Sequence, residues 1–126
     1  MTDVRWYSRP VLFVAEIDGG IAFYVEKLGF RQNWRFADEG KGGVAQVSRE
    51  GCELILSSHW PDKKGGGMIF ISLDLDVLNA ARAEFEAKGV AVRDGWWGYD
   101  CAIVDDLDGN QLYFPYPNEK GLKRND

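Results

Sequence analysis

The feature that most constrains this chain is an internal repeat. Residues 9–30, RPVLFVAEIDGGIAFYVEKLGF, and residues 68–90, MIFISLDLDVLNAARAEFEAKGV, share one grammar, and their closing glycines, Gly29 and Gly89, stand 60 positions apart. In the first, Pro10, Leu12 and Val14 alternate with Arg9, Val11 and Phe13, as in a strand with two unlike faces. Asp18 is the expected N-cap of a helix, and Ile21, Tyr24, Val25 and Leu28 recur on one helical face. Gly29 then stands where a left-handed residue ends a helix. In the second, residues 68–73 read as a strand and Asp76 as the N-cap. Leu78, Ala81 and Phe85 share a face, and Gly89 is the stop. Repeats of this length imply duplicated supersecondary units.

The strands after each helix are duplicated too. In the first unit they are expected at residues 30–36, 44–49 and 52–57, with a loop at 39–43 and a tight hairpin at Glu50-Gly51. HWPDKKGGG, residues 59–67, reads as a linker. In the second unit, strands are expected at 91–94, 99–105 and 111–116, around a Trp96-Trp97-Gly98 loop and an Asp108-Gly109-Asn110 turn. The chain is therefore expected to be one α+β domain, residues 1–126, built of two tandem βαβββ modules. Module one spans about 9–58 and module two about 68–116, with a mobile or edge lead-in at 1–8 and a polar tail at 117–126.

At 126 residues the chain is long enough to bury a core without staples. A net charge of −5 argues against a nucleic-acid partner. Two cysteines make no disulfide framework and suit a reduced, cytoplasmic setting. The opening MTDVRWYSRP has no apolar core of signal-peptide length, and no run reaches the roughly 20 apolar residues that span a bilayer; no membrane partner is expected.

The tandem βαβββ order resembles the vicinal-oxygen-chelate superfamily, which groups glyoxalases, bleomycin-resistance proteins and dioxygenases. Phe23-Tyr24 followed by Leu28-Gly29-Phe30 is similar to its FY…LGF signature, and residues 106–110, DLDGN, to its late DPDGN turn. Trp97-Gly98 is similar to the WG of the metal-free bleomycin-resistance branch. The likeness covers about residues 9–116. It implies that each module curls into a half-barrel, and that two modules, of one chain or swapped between subunits of a homodimer, enclose a cavity in a curled mixed sheet.

In metal-dependent members the ligands, usually His and Glu, fall on the first and last strands of each module. The resemblance places those positions on Arg9, Ile55, Met68 and Tyr113. Arg is a permanent cation and only donates, Ile offers nothing, and a thioether is soft. No metal, no cofactor and no catalytic residue is therefore assigned. Glu53, close to the aligned point, could serve an atypical metal but lacks a second strong donor. The single histidine, His59, reads as a solvated loop residue. DLDGN lacks the Gly and Glu of a calcium loop, Gly65-Gly66-Gly67 lacks the GK[ST] of a phosphate loop, and Cys52 and Cys101 are not in CxxC spacing.

With the aligned positions inward, alternation puts Arg9, Val11, Phe13, Glu53, Ile55, Ser57, Met68, Phe70, Ser72, Gln111 and Tyr113 on the cavity face. Pro10, Leu12, Val14, Leu54, Leu56, Ile69, Ile71, Leu73, Leu112 and Phe114 form the core. Trp34, Phe36, Trp60, Trp96, Trp97 and Tyr99 could rim the cavity, although any one Trp could equally fill core or dimer interface. Arg9 and Glu53 could form an internal ion pair. The expected ligand-binding set is Arg9, Phe13, Trp34, Phe36, Glu53, Ser57, Met68, Phe70, Trp97, Tyr99 and Tyr113. Trp97 is expected on the ligand and Trp96 on protein. The expected function is metal-independent binding of a small organic ligand, aromatic or cationic, by a cytoplasmic homodimer resembling drug-sequestering resistance proteins. The alternative is a glyoxalase- or dioxygenase-type enzyme with an atypical metal site or none.

Overall fold

The computed structural model describes residues 6–117. Residues 1–5 of the expected lead-in and 118–126 of the expected tail lie outside the described residues. Module one runs β1 (Val11–Phe13), α1 (Ile17–Ala22) with a π-helical extension (Phe23–Lys27), β2 (Arg31–Asp38), β3 (Gly42–Arg49) and β4 (Cys52–Ser57). A 3₁₀ turn, Pro61–Lys63, lies in the linker. Module two runs β5 (Met68–Phe70), α2 (Leu75–Ala87), β6 (Arg93–Trp96), β7 (Asp100–Asp105) and β8 (Gln111–Pro115).

The duplication holds in three dimensions. The sheets have matching orders, β1-β4-β3-β2 and β5-β8-β7-β6, and in each the first strand lies parallel to the last while the other pairs are antiparallel. The fold is α+β, with two four-stranded mixed sheets that do not close into a barrel. Among the described residues no helix is long and apolar enough to cross a membrane.

Three local expectations are corrected. Both helices start two residues early, after Glu16 and Asp74 rather than Asp18 and Asp76, and neither N-cap makes a side-chain cap bond. The extended backbone at Glu16 and Asp74 sets the start, leaving Asp18 and Asp76 in the first turns. β6 lies two residues later than expected, because Trp97 N–H bonds the Tyr99 carbonyl and sets the hairpin register. Pro10, expected in the core, is exposed.

One face of each sheet packs on the helices. Leu12, Val14, Leu54, Leu56, Ala45 and Val47 from module one join Leu78, Ala81, Phe85, Leu112, Phe114 and Val104 from module two in a single buried cluster. Ile69, Ile71 and Leu73 pack against it half-buried.

The two motif stretches meet at the joint between modules. The Tyr24 hydroxyl donates to Asp106 Oδ2 at 2.9 Å, while Asp106 Oδ1 accepts from the backbone N–H of Asp108 and of Asn110. Asn110, fully buried, donates Nδ2 to the Phe13 carbonyl and to Asp106, and its Oδ1 accepts from Gly67 N–H. Asp108 Oδ1 accepts from Ala15 N–H. The DLDGN turn thus satisfies backbone groups at the end of β1 and the start of β5. Burial first, then the neighbouring Asp106 charge, pushes the Tyr24 hydroxyl far up, so it stays a donor. A Cβ at Gly67 would meet both Asn110 Oδ1 and Leu12 at 2.7 Å, so only glycine fits there.

Candidate functional site

The face of each sheet turned away from the core carries the residues expected to line the cavity. In module one, register aligns the row Val11, Ile55, Gln46 and Trp34, and next to it Phe13, Ser57, Val44 and Phe36. In module two it aligns Phe70 with Tyr113 and Ile103, and Met68 with Gln111 and Asp105. Large apolar side chains on these faces stay open to solvent: Phe36 and Trp97 are 58% and 57% exposed, and Trp34, Met68 and Phe70 about 40%. In one chain these side chains therefore stand open on both faces.

Four rings converge on module two. Trp97 meets Phe70 edge-on with centroids 5.0 Å apart, Tyr113 lies nearly parallel to Phe70 at 5.9 Å, and Tyr99 stands at 6.2 Å. Trp97 also contacts Tyr113. Phe70 comes from β5, Tyr113 from β8, and Trp97 and Tyr99 from the β6–β7 hairpin, where Gly98 takes the positive φ of the turn. The result is an aromatic wall with its outer edges in solvent, a surface suited to flat apolar rings. Trp96, at the end of β6, is 45% exposed.

Module one presents a polar relay. Arg9 donates to Gln46 Oε1 at 2.7 Å, and Gln46 Nε2 donates to Asn33 Oδ1 at 3.0 Å. The expected Arg9–Glu53 pair is not formed. The guanidinium bonds the Gln46 amide on β3 instead, and the buried Glu53 Oε1 has no hydrogen-bond partner. Ser57 is buried, and its hydroxyl accepts from His59 N–H at the mouth of the linker rather than standing open on the face. His59 is half-buried beside Trp60, not a solvated loop residue.

Sequence reasoning misses Gln46 and Asn33. Asn33 sits at an irregularity between Gln32 and Trp34 that shifts the β2 register; pattern alone does not reveal such a bulge. Gln46 is visible in the alternation of β3, but alternation alone does not say which face turns to the cavity.

The positions expected from the resemblance to correspond to metal ligands are Arg9, Ile55, Met68 and Tyr113. Arg9 is committed to Gln46 and Tyr113 to the aromatic wall. These side chains do not fit a divalent cation, and among the described residues no group of three His, Cys, Asp or Glu could hold one.

The family model described as glyoxalase/bleomycin resistance protein/dioxygenase superfamily matches residues 6–114. Among solved structures, the chain is similar to TnmS3, an antibiotic binding protein from Streptomyces sp. CB03234 (23% identity, 92% of this chain and 100% of that one, TM-score 0.67). It is similar to a glyoxalase/bleomycin resistance protein from the same organism (25% identity, 86% and 99% covered, TM-score 0.62). It is also similar to lactoylglutathione lyase from Agrobacterium tumefaciens (16% identity, 91% and 96% covered, TM-score 0.68). No curated protein matches the chain.

Proposed function

Because the chain belongs to the glyoxalase/bleomycin resistance protein/dioxygenase superfamily, we propose that it binds a small, flat organic molecule without a metal and without altering it. The observation that carries this reading is the aromatic wall of Phe70, Trp97, Tyr99 and Tyr113, packed ring on ring yet open at its edges. Ordered rings offer large contact area at low entropic cost. The ligand stacks on this wall. Trp34 and Phe36 of the other module, supplied by a second copy of the chain, close over it. The antibiotic-binding neighbour supports that ligand class, and the donor chemistry at Arg9, Ile55, Met68 and Tyr113 supports metal independence.

One observation favours a second reading, an enzyme of the same superfamily. Glu53 holds a buried carboxylate oxygen with no partner on the open face, the kind of group that could act as a general base. Native mass spectrometry of purified protein, with elemental analysis after dialysis, separates the two. Binding predicts a retained small molecule recovered unchanged and well under one equivalent of zinc, nickel, manganese or iron per chain. One tightly held metal equivalent, or consumption of the retained molecule, would contradict it.

A further inference from the structure

The open face of module one ends in a cation seat that the chain fills with its own lysine. Phe13 and Trp60 stand edge to face, 6.0 Å between centroids. The Lys63 ammonium lies 5.4 Å from the Phe13 centroid and 5.2 Å from that of Trp60. Among the described residues Lys63 has no carboxylate partner, so the two rings are what hold its charge. Attraction of an ammonium to a ring face at this distance is of the ordinary cation–π kind.

Two further features make the arrangement a site rather than a chance packing of one side chain. Phe13 belongs to the row that leads through Ser57 and Val44 to Phe36, so the seat opens onto the proposed ligand face. On its other side Trp60 borders a groove of about 1050 Å³ where, with Asp18 paired to Arg35, Glu16 and Glu39 stand against Lys41; the remaining acidic excess favours a cation. Lys63 also rides on a short surface turn. It ends the 3₁₀ turn, and Gly65 and Gly66 beyond it both take positive φ. The segment's backbone bonds are few: Lys63 and Lys64 N–H close the turn onto Trp60 and Pro61, and Gly65 N–H reaches the Phe13 carbonyl.

We infer that Phe13 and Trp60 form a subsite for an organic ammonium group, and that Lys63 is a tethered placeholder which a ligand ammonium displaces. This rests on the open-face reading above and narrows the ligand class to amines and quaternary ammonium compounds. A tethered competitor lowers the apparent affinity of the free cation by its effective local concentration; removing it should raise that affinity.

The test monitors the five tryptophan indole N–H signals in ¹H–¹⁵N correlation spectra, with Trp60 assigned from Trp60→Phe. Choline is the probe, and dimethylbutanol, its uncharged carbon isostere, is the control. Choline should move the Trp60 signal saturably. Half-saturation should fall by about threefold in Lys63→Gln, the scale of one exposed cation–π contact, while dimethylbutanol leaves the signal in place. Equal half-saturation in wild type and Lys63→Gln, an equal response to dimethylbutanol, or no response overturns the seat. The Trp97 signal keeps the two readings apart. If it responds to an aromatic antibiotic while Trp60 ignores choline, the seat alone fails; if Trp60 behaves as expected while Trp97 stays silent, the aromatic wall is wrong.

Discussion

Asn110 shows how one side chain can hold two modules together. It is wholly buried and bonds the Phe13 carbonyl, Gly67 N–H and Asp106 at once. Asn110→Ala would strip the Gly67 N–H of its partner and the Phe13 carbonyl of one of its two donors, Gly65 N–H remaining as the other. The expected loss is about 1–3 kcal/mol, the scale of one buried group left unpaired, seen as a lower urea midpoint at unchanged slope. The turn itself was legible, since Asp, Gly and Asn in that order favour one. Its bonding partners were not, because Phe13 lies 97 positions away and no periodicity reports such a contact. The same limit explains Arg9, whose charge suggested Glu53 as partner. Only the placement of β3 beside β4 brings Gln46 within its reach.

At the scale of elements, β3 of module one is tied to α2 of module two. Arg49 makes a two-pronged ion pair with Glu84, at 2.8 and 2.9 Å, and also donates to the Leu28 carbonyl. Gly29 makes room for it, since a Cβ there would stand 2.6 Å from Arg49 Nη1. The Arg49 hydrogen bonds hold the Glu84 carboxyl below its ordinary 4.5, partly offset by burial. A depressed carboxylate stabilises the fold above its unfolded value and loses that contribution as pH falls through the folded one. Both side chains are about one-third exposed, so the screened pair is worth about 0.5–1 kcal/mol. Glu84→Gln should therefore lower stability by that amount near neutrality. Thermal unfolding across a pH series should show the variant and wild type converging as pH falls below the ordinary glutamate value and through the depressed one. β4 occupies the expected residues, Cys52–Ser57, and the Glu50-Gly51 hairpin forms with φ of 49° and 86°. Both signals are local and need no tertiary context. Helix starts and the β6 register were misplaced because extended backbone, not a capping side chain, sets where each helix begins, and hairpin register depends on turn geometry.

At the scale of the molecule, two open sheet faces carry exposed Trp34, Phe36, Phe70 and Trp97. A lone soluble chain rarely leaves such patches uncovered. A two-fold pair would bring one module's face over the partner's other module, burying both. Light scattering at micromolar concentration should give twice the chain mass; a monomer would mean that the faces stay open or close within one chain. The repeat made the architecture of two matching four-stranded sheets legible, because duplicated sequence units fold alike. The aromatic wall was legible as members of one face, but its ring-on-ring contacts were not, since they depend on how the β6–β7 hairpin folds Trp97 back over β5.

The most direct measurement is calorimetric titration of wild type and Trp97→Ala with bleomycin and other aromatic antibiotics, beside thermal unfolding of both proteins. Trp97 is largely exposed and touches the wall by its edge. Its loss should weaken binding of whichever antibiotic the wild type takes up by about 1–3 kcal/mol, the scale of a lost aromatic anchor, with little change in melting temperature. Unchanged affinity together with early unfolding would make Trp97 a structural residue and contradict a ligand site on this face.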